Sequence, residues 1–157
     1  FALSRDGCRT PMQWNSDPNA GFSPNKDVKT WLKIPTNHKS INVEQERNKP
    51  DSLLHFYKKL IRIRQKSPAL YEGELYFKEI SGLQDKCLSY KRVASKQKCI
   101  IYLNFTDNTI KIPFIKQKEN MKLLLFSTDH QREQINVKER SYFELKNYEA
   151  VILENKK

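Results

Sequence analysis

The chain has 157 residues, room for one ordinary domain or for a small domain with a piece of another. Apolar residues at 38% and aromatics at 11% suffice for a core and exclude wholesale disorder, and no run approaches the ~18 consecutive apolar residues of a membrane span. The net charge of +11 comes from Lys and Arg spread through every segment rather than from a compact patch, which argues for a solvated basic surface and against nucleic-acid binding.

The chain opens on Phe1, not Met, without the charged, apolar and small-residue order of a signal peptide, so its natural start is not legible. Residues 1 to about 48 are rich in turns. Asp17-Pro18-Asn19-Ala20-Gly21, Ser23-Pro24-Asn25 and Ile34-Pro35-Thr36-Asn37 all carry turn chemistry. A run this long without periodicity reads as a functional loop that needs a larger scaffold. Trp14, Phe22 and Trp31 are its natural anchors, yet the chain supplies little for them to pack against.

From Pro50 to Lys66 the pattern is helical. Leu53, Leu54, Phe56, Tyr57, Leu60, Ile61 and Ile63 share one side, Pro50 suits a first helical position, and Pro68 ends the run. Arg64 falls inside the apolar arc and calls for a carboxylate or carbonyl partner. So apolar a helix face is expected to lie on a sheet or barrel.

Beyond Leu70 the period becomes two. Strands are predicted over 74–80, 87–93, 98–104, 109–114, 122–126, 141–145 and 150–153. Turns are predicted at Gly82, Asp107-Asn108, Lys118 to Asn120 and Lys146-Asn147. Short, evenly spaced strands imply a small antiparallel sandwich. Cys8, Cys87 and Cys99 are odd in number and irregularly spaced. Cys87 and Cys99 could face each other across two strands, but three free thiols in a reducing, cytoplasmic compartment is the better reading. There is no C-x-x-C pair, and His38, His55 and His130 lack ligand spacing, so no metal or cofactor is expected. The sequon Asn104-Phe105-Thr106 is short enough to arise by chance.

In order along the chain, Ser4-Arg5-Asp6-Gly7-Cys8-Arg9-Thr10-Pro11-Met12-Gln13-Trp14-Asn15, Asn19 to Ser23, Trp31-Leu32 and Ile41 to Glu44 resemble one family, as do Asp51 to Leu54, Phe56 to Ile61, Arg64, Pro68 to Leu70 and Gly73. That family is glycoside hydrolase family 13, in its oligo-1,6-glucosidase and α-glucosidase branch, and the likeness is to the C-terminal portion. The resemblance implies the end of a (β/α)8 barrel followed by an all-β antiparallel C-terminal sandwich. Residues 1–69 would be the loop after barrel strand 8 and barrel helix 8, and residues 70–157 the sandwich. The opening motif would then lie at the C-terminal face of the barrel, where such enzymes keep their active sites.

Family members are retaining enzymes with a nucleophile and an acid carboxylate about 5 Å apart. These carboxylates, with a third that assists, lie on earlier strands, and the resemblance maps no catalytic residue onto this chain. It implies a substrate-binding role for Arg9 first, then Arg5 and Asp6, as a pocket wall in which an arginine can bond sugar hydroxyls or hold a carboxylate ionised. Arg5 and Asp6 could instead form an ion pair that only braces the loop. Gln13 and Trp14 read as structural, and Asn15 departs from the family's usual Asp. Cys8 lacks a histidine partner and is not a nucleophile candidate. The implied partners are a small α-glucoside and the remainder of the barrel upstream, without which the chain would be inactive. The alternative is a piece of a catalytically inactive relative serving as a transporter-ancillary subunit.

Overall fold

A computed structural model describes residues 5–25, 27–113, 121–127 and 141–156. They form two compact units, residues 1–58 and 59–157, whose division falls inside a helix.

In the first unit the run predicted as loop contains 3-10 turns at Arg5–Cys8 and Thr36–Lys39 and a short helix, α1 (Val43–Asn48). Helix α1 has no apolar periodicity. It forms because Asn42 caps it, its Oδ1 accepting from the Gln45 N–H at 2.9 Å. The next helix, α2 (Leu53–Lys66), starts three residues later than the position of Pro50 suggests. Ser52 sets that start: its Oγ accepts from the His55 N–H, while Glu46 Oε2 takes the Leu54 N–H at 3.1 Å. The Ser52 hydroxyl donates to Glu46 O at 2.7 Å, so the His55 Nδ1–H donates to Ser52 Oγ at 2.9 Å.

None of the α2 residues is buried, and Leu53, Tyr57 and Ile61 are 65%, 55% and 51% exposed. The apolar arc is present; among the described residues Leu54, Phe56, Leu60 and Ile63 are half-buried, while Leu53, Tyr57 and Ile61 are left bare. Arg64 is exposed too, and it still finds a carbonyl partner, with Nη1 donating to Leu70 O at 2.8 Å. Such a stripe makes the isolated chain prone to self-association. Light scattering is expected to show oligomers at high concentration and a monomer when Leu53, Tyr57 and Ile61 are replaced together by Lys. A monodisperse wild-type chain would show that the stripe is not sticky.

The second unit begins within α2 and continues with a helical turn, α3 (Pro68–Tyr71), capped by Ser67; Pro68 therefore ends one helix and starts another. Among the described residues seven strands follow: β1 (Glu74–Phe77), β2 (Cys87–Ala94), β3 (Gln97–Asn104), β4 (Ile110–Pro113), β5 (Lys122–Phe126), β6 (Tyr142–Leu145) and β7 (Ala150–Lys156). They match the seven predicted positions. Strand β1 stops three residues short because Ile80 enters the turn at Gly82, and β7 runs three residues longer. Phe114, the turn predicted at 118–120 and His130 lie outside the described residues.

All pairings are antiparallel. Five strands form one sheet in the order β1-β2-β3-β7-β5, and β4 and β6 form another. Ile100, Tyr102, Val151 and Leu153 of the larger sheet share one core with Ile110, Ile112, Phe143 and Leu145 of the smaller. Tyr102 and Phe143 meet edge to face at 5.6 Å. The predicted antiparallel β-domain is thus built as two facing sheets.

On the other face of the larger sheet a polar clamp holds α3. Gln97 Oε1 accepts from Ser67 Oγ at 3.0 Å and from the Ala69 N–H at 2.8 Å, Gln97 Nε2 donates to Glu154, and Ser67 Oγ lies 3.4 Å from Cys99 Sγ. Gly73 passes so close to backbone that a Cβ there would stand 2.5 Å from Ala69 O and 2.8 Å from Val93 O. All three cysteines are free. Cys87 belongs to the shared core while Cys99 sits under α3, so the two thiols point to opposite faces of the sheet.

Candidate functional site

Arg5, Asp6 and Arg9 are brought together by the first 3-10 turn, which closes with the Arg9 N–H donating to Asp6 O at 3.0 Å. Residues 5–10 are all exposed, so three ionic side chains stand at one edge of the first unit with their heads in water. Asp6 keeps a further interaction of its own. Cys8 is free and exposed.

The segment behind them is fixed by amide side chains. Gln13 Nε2 donates to Ile41 O at 2.7 Å and to Asn37 Oδ1 at 3.2 Å, and Gln13 O and Trp14 O accept from the N–H groups of Val43 and Glu44, each at 3.0 Å. The residues after the motif are thereby tied to the start of α1. Asn42, 3% exposed, extends the tie with Nδ2 donating to His38 O at 2.8 Å. His38 is buried, its Nδ1 lies 2.8 Å from Pro35 O, and its Nε2 has no partner among the described residues.

The turn at 15–21 is equally determined. Asn15 Oδ1 accepts from the Asp17 N–H at 3.1 Å while Asn15 Nδ2 donates to Asp17 Oδ2 at 3.2 Å. An aspartate at position 15 could not make the second bond and would face the carboxylate of Asp17, so the departure at Asn15 suits its local partner. Asn19, 3% exposed, donates to Ser23 O at 2.7 Å and to Asn25 O at 3.1 Å, and its Oδ1 accepts from the Gly21 N–H. Ala20 and Gly21 both adopt positive φ, 55° and 65°. At Gly21 a Cβ would stand 2.8 Å from Asn15 Oδ1, so glycine serves both the backbone angle and the close approach.

Gln13 is therefore a brace, as its structural reading holds. Sequence reasoning missed Asn19 and Asn42 as hubs; their signal was present only as turn and cap preference. Trp14, Phe22 and Trp31 do not form a core: they are 48%, 51% and 94% exposed. Among the described residues no group of three His, Cys, Asp or Glu is placed to hold a metal ion, and no helix is long and apolar enough to cross a membrane.

The Asn104 sequon is closed from within. Asn104 is 3% exposed, and its Nδ2 donates to Asn108 O and Lys146 O, each at 2.7 Å. An amide nitrogen held in that way is not presented for glycosylation.

Residues 2–73 match the family model of the α-amylase catalytic domain. The chain is 43% identical over 106 residues to probable oligo-1,6-glucosidase 2 of Bacillus subtilis (strain 168), covering 68% of this chain and 18% of that protein. It is 35% identical over 130 residues to an α-glucosidase of Candida albicans, covering 81% of this chain and 22% of the relative. Among solved structures, a variant of MutB, the trehalulose synthase of Pseudomonas mesoacidophila MX-45, in complex with its substrate sucrose superposes with a TM-score of 0.82 at 28% identity, covering 98% of this chain and 26% of that one. The chain thus spans about a fifth of the length of these curated relatives and about a quarter of the solved one. The chain belongs to glycoside hydrolase family 13, the α-amylase family, and is similar to its oligo-1,6-glucosidases and α-glucosidases.

Proposed function

We propose that this chain is the C-terminal part of a retaining α-glucosidase that hydrolyses α-glucosidic bonds of short oligosaccharides or disaccharides. Residues 1–69 then complete the catalytic barrel with the loop after strand 8 and helix 8, and residues 70–157 form the C-terminal β-domain. The observation that carries this reading is the opening turn, where Arg5, Asp6 and Arg9 stand exposed on a braced loop within the stretch that matches the catalytic-domain model. The bare part of the α2 arc supports it as well, since a last barrel helix packs against the strands that precede it.

In this reading the three catalytic carboxylates come from the upstream barrel, and this chain supplies one wall of the sugar pocket. Arg9 donates to a sugar hydroxyl or to a catalytic carboxylate, holding that carboxylate ionised. Arg5 and Asp6 either reach the sugar or hold each other in place beside it. Gln13, Asn19 and Asn42 keep this wall from moving, which matters because a displacement of about 1 Å costs on the order of 100-fold in rate.

The test is a chimaera in which this chain replaces the matching stretch of the Candida albicans α-glucosidase. The isolated chain is expected to leave a chromogenic α-glucoside intact, and the chimaera to turn it over. Turnover by the pure isolated chain, or a folded chimaera without activity, would overturn the reading.

A further inference from the structure

The second unit carries an open cleft of about 470 Å³ between the end of β1, the turn that leads into β2 and the residue after β3. Its walls are tied by backbone bonds. The Lys78 N–H donates to Ser89 O at 3.0 Å, and Ser89 Oγ donates back to Lys78 O, fixing the first wall to β2. The N–H groups of Lys86 and Cys87 both donate to Leu83 O, at 3.0 and 2.9 Å, and the Phe105 N–H donates to Lys86 O at 2.9 Å, so turn and second wall hold one another.

Two aromatic rings stand at this cleft and are largely bare, Phe77 at 71% and Phe105 at 63% exposure. Phe77 does not hang free. Its ring rests against Tyr90 at 61°, centroids 6.4 Å apart, which presets its orientation. Beside the rings are two ammonium groups, Lys78 and Lys86, and two carboxylates, Glu79 and Asp85, whose formal charges cancel. Among the described residues these four side chains, and that of Gln84, are not engaged in a hydrogen bond or ion pair. Lys78 is half-buried, and desolvation, then the charges of Lys98 and Lys91, holds its ammonium below the usual lysine range. It therefore has less hydration left to lose to a ligand.

A shallow cleft with bare aromatic faces, free donors and acceptors and no net charge fits a neutral ring that is apolar on its faces and hydroxylated at its edge. We propose that this cleft is a second carbohydrate site, distinct from the opening turn, taking one or two pyranose rings of a neutral oligosaccharide stacked on Phe77 and Phe105. Charged and amide side chains along the rim then bond the hydroxyls.

Saturation-transfer difference NMR on the 157-residue chain with isomaltose or maltose tests this, since it reads weak binding from the free sugar and tolerates self-association. Transfer to the ring C–H protons is expected, weakened about tenfold in the Phe77→Ala, Phe105→Ala double variant and unchanged in Lys59→Ala, an exposed residue outside both sites. Both phenylalanines are exposed, so the double variant is expected to keep the far-UV circular dichroism of the wild type. Absence of transfer to both sugars, or transfer that survives the double substitution, overturns the site. Transfer lost only in Arg9→Ala moves binding to the opening turn and overturns it too. The chimaera assay reads a different surface, so the two proposals fail separately.

Discussion

In the chimaera with the Candida albicans α-glucosidase, Arg9→Ala is expected to lower kcat/KM for a chromogenic α-glucoside about 100-fold while leaving the protein folded. The size follows from the contact it would remove: a hydrogen bond to a charged group contributes about 1.5–3 kcal/mol, and each tenfold in rate is about 1.4 kcal/mol. Folding is spared because Arg9 is exposed and its only described backbone tie, to Asp6 O, does not involve the side chain. The kinetic split identifies what the guanidinium touches. A rise in KM at constant kcat means a sugar hydroxyl bound equally in ground and transition states. A fall in kcat, with the acidic limb of the pH profile moved upward, means a catalytic carboxylate that has lost its cation and binds its proton more tightly. Arg9→Lys keeps the charge but loses the planar fork, so it should recover the carboxylate role better than a bidentate sugar contact. A folded Arg9→Ala enzyme within threefold of the parent would remove Arg9 from the pocket wall.

How much of this was written in the sequence depends on which physical signal each feature uses. Strand positions were legible because short apolar runs, Cys99 to Leu103 in β3 and Ala150 to Leu153 in β7, stand between turn residues, although burial on both faces leaves little alternation in them. Register was not. Cys87 pairs with Asn104 and Cys99 with Arg92, a relation set by the two-residue connection Ser95-Lys96, where the chain has no glycine to announce a hairpin. Helix α1 went unread because six residues have too few turns to display a period, and its stability rests on the Asn42 cap. Gln97 hid better still: a glutamine beside a turn reads as solvated surface, yet here it is 6% exposed and anchors α3. In the opening segment the motif letters gave the exposed ionic turn, but the role of Asn19 as a hub depends on backbone carbonyls, which every residue has and no letter marks.

Asn104 poses the same problem in sharper form, and it carries the largest stability effect expected of a single substitution here. Its Nδ2 donates to Asn108 O, Lys146 O and, at 3.3 Å, Leu145 O, and its Oδ1 accepts from the N–H and Oγ1 of Thr106 at 2.9 and 2.8 Å. One side chain therefore joins the end of β3, the turn before β4 and the end of β6, holding together the corner where the two sheets meet. Asn104→Ala keeps the backbone bond from Asn104 N–H to Glu149 O but removes the Nδ2 donor from the carbonyls of Asn108, Lys146 and Leu145 and the Oδ1 acceptor from Thr106. A hydrogen bond contributes about 0.5–1.5 kcal/mol net, so losing these together is expected to cost about 3 kcal/mol, seen as a urea midpoint lower by about 2 M in far-UV circular dichroism. Asn104→Asp separates lost hydrogen bonds from lost packing. At neutral pH the new carboxylate cannot donate and faces carbonyl oxygens, so its pKa rises in the folded state and the loss should match or exceed that of alanine. As pH falls through that raised pKa the carboxyl gains a proton, becomes a donor, and recovers part of the stability relative to wild type. Alanine has nothing to titrate and should show no such recovery. Equal, pH-independent losses for both variants would mean that the corner depends on the shape of residue 104, and that the donors of its amide contribute little.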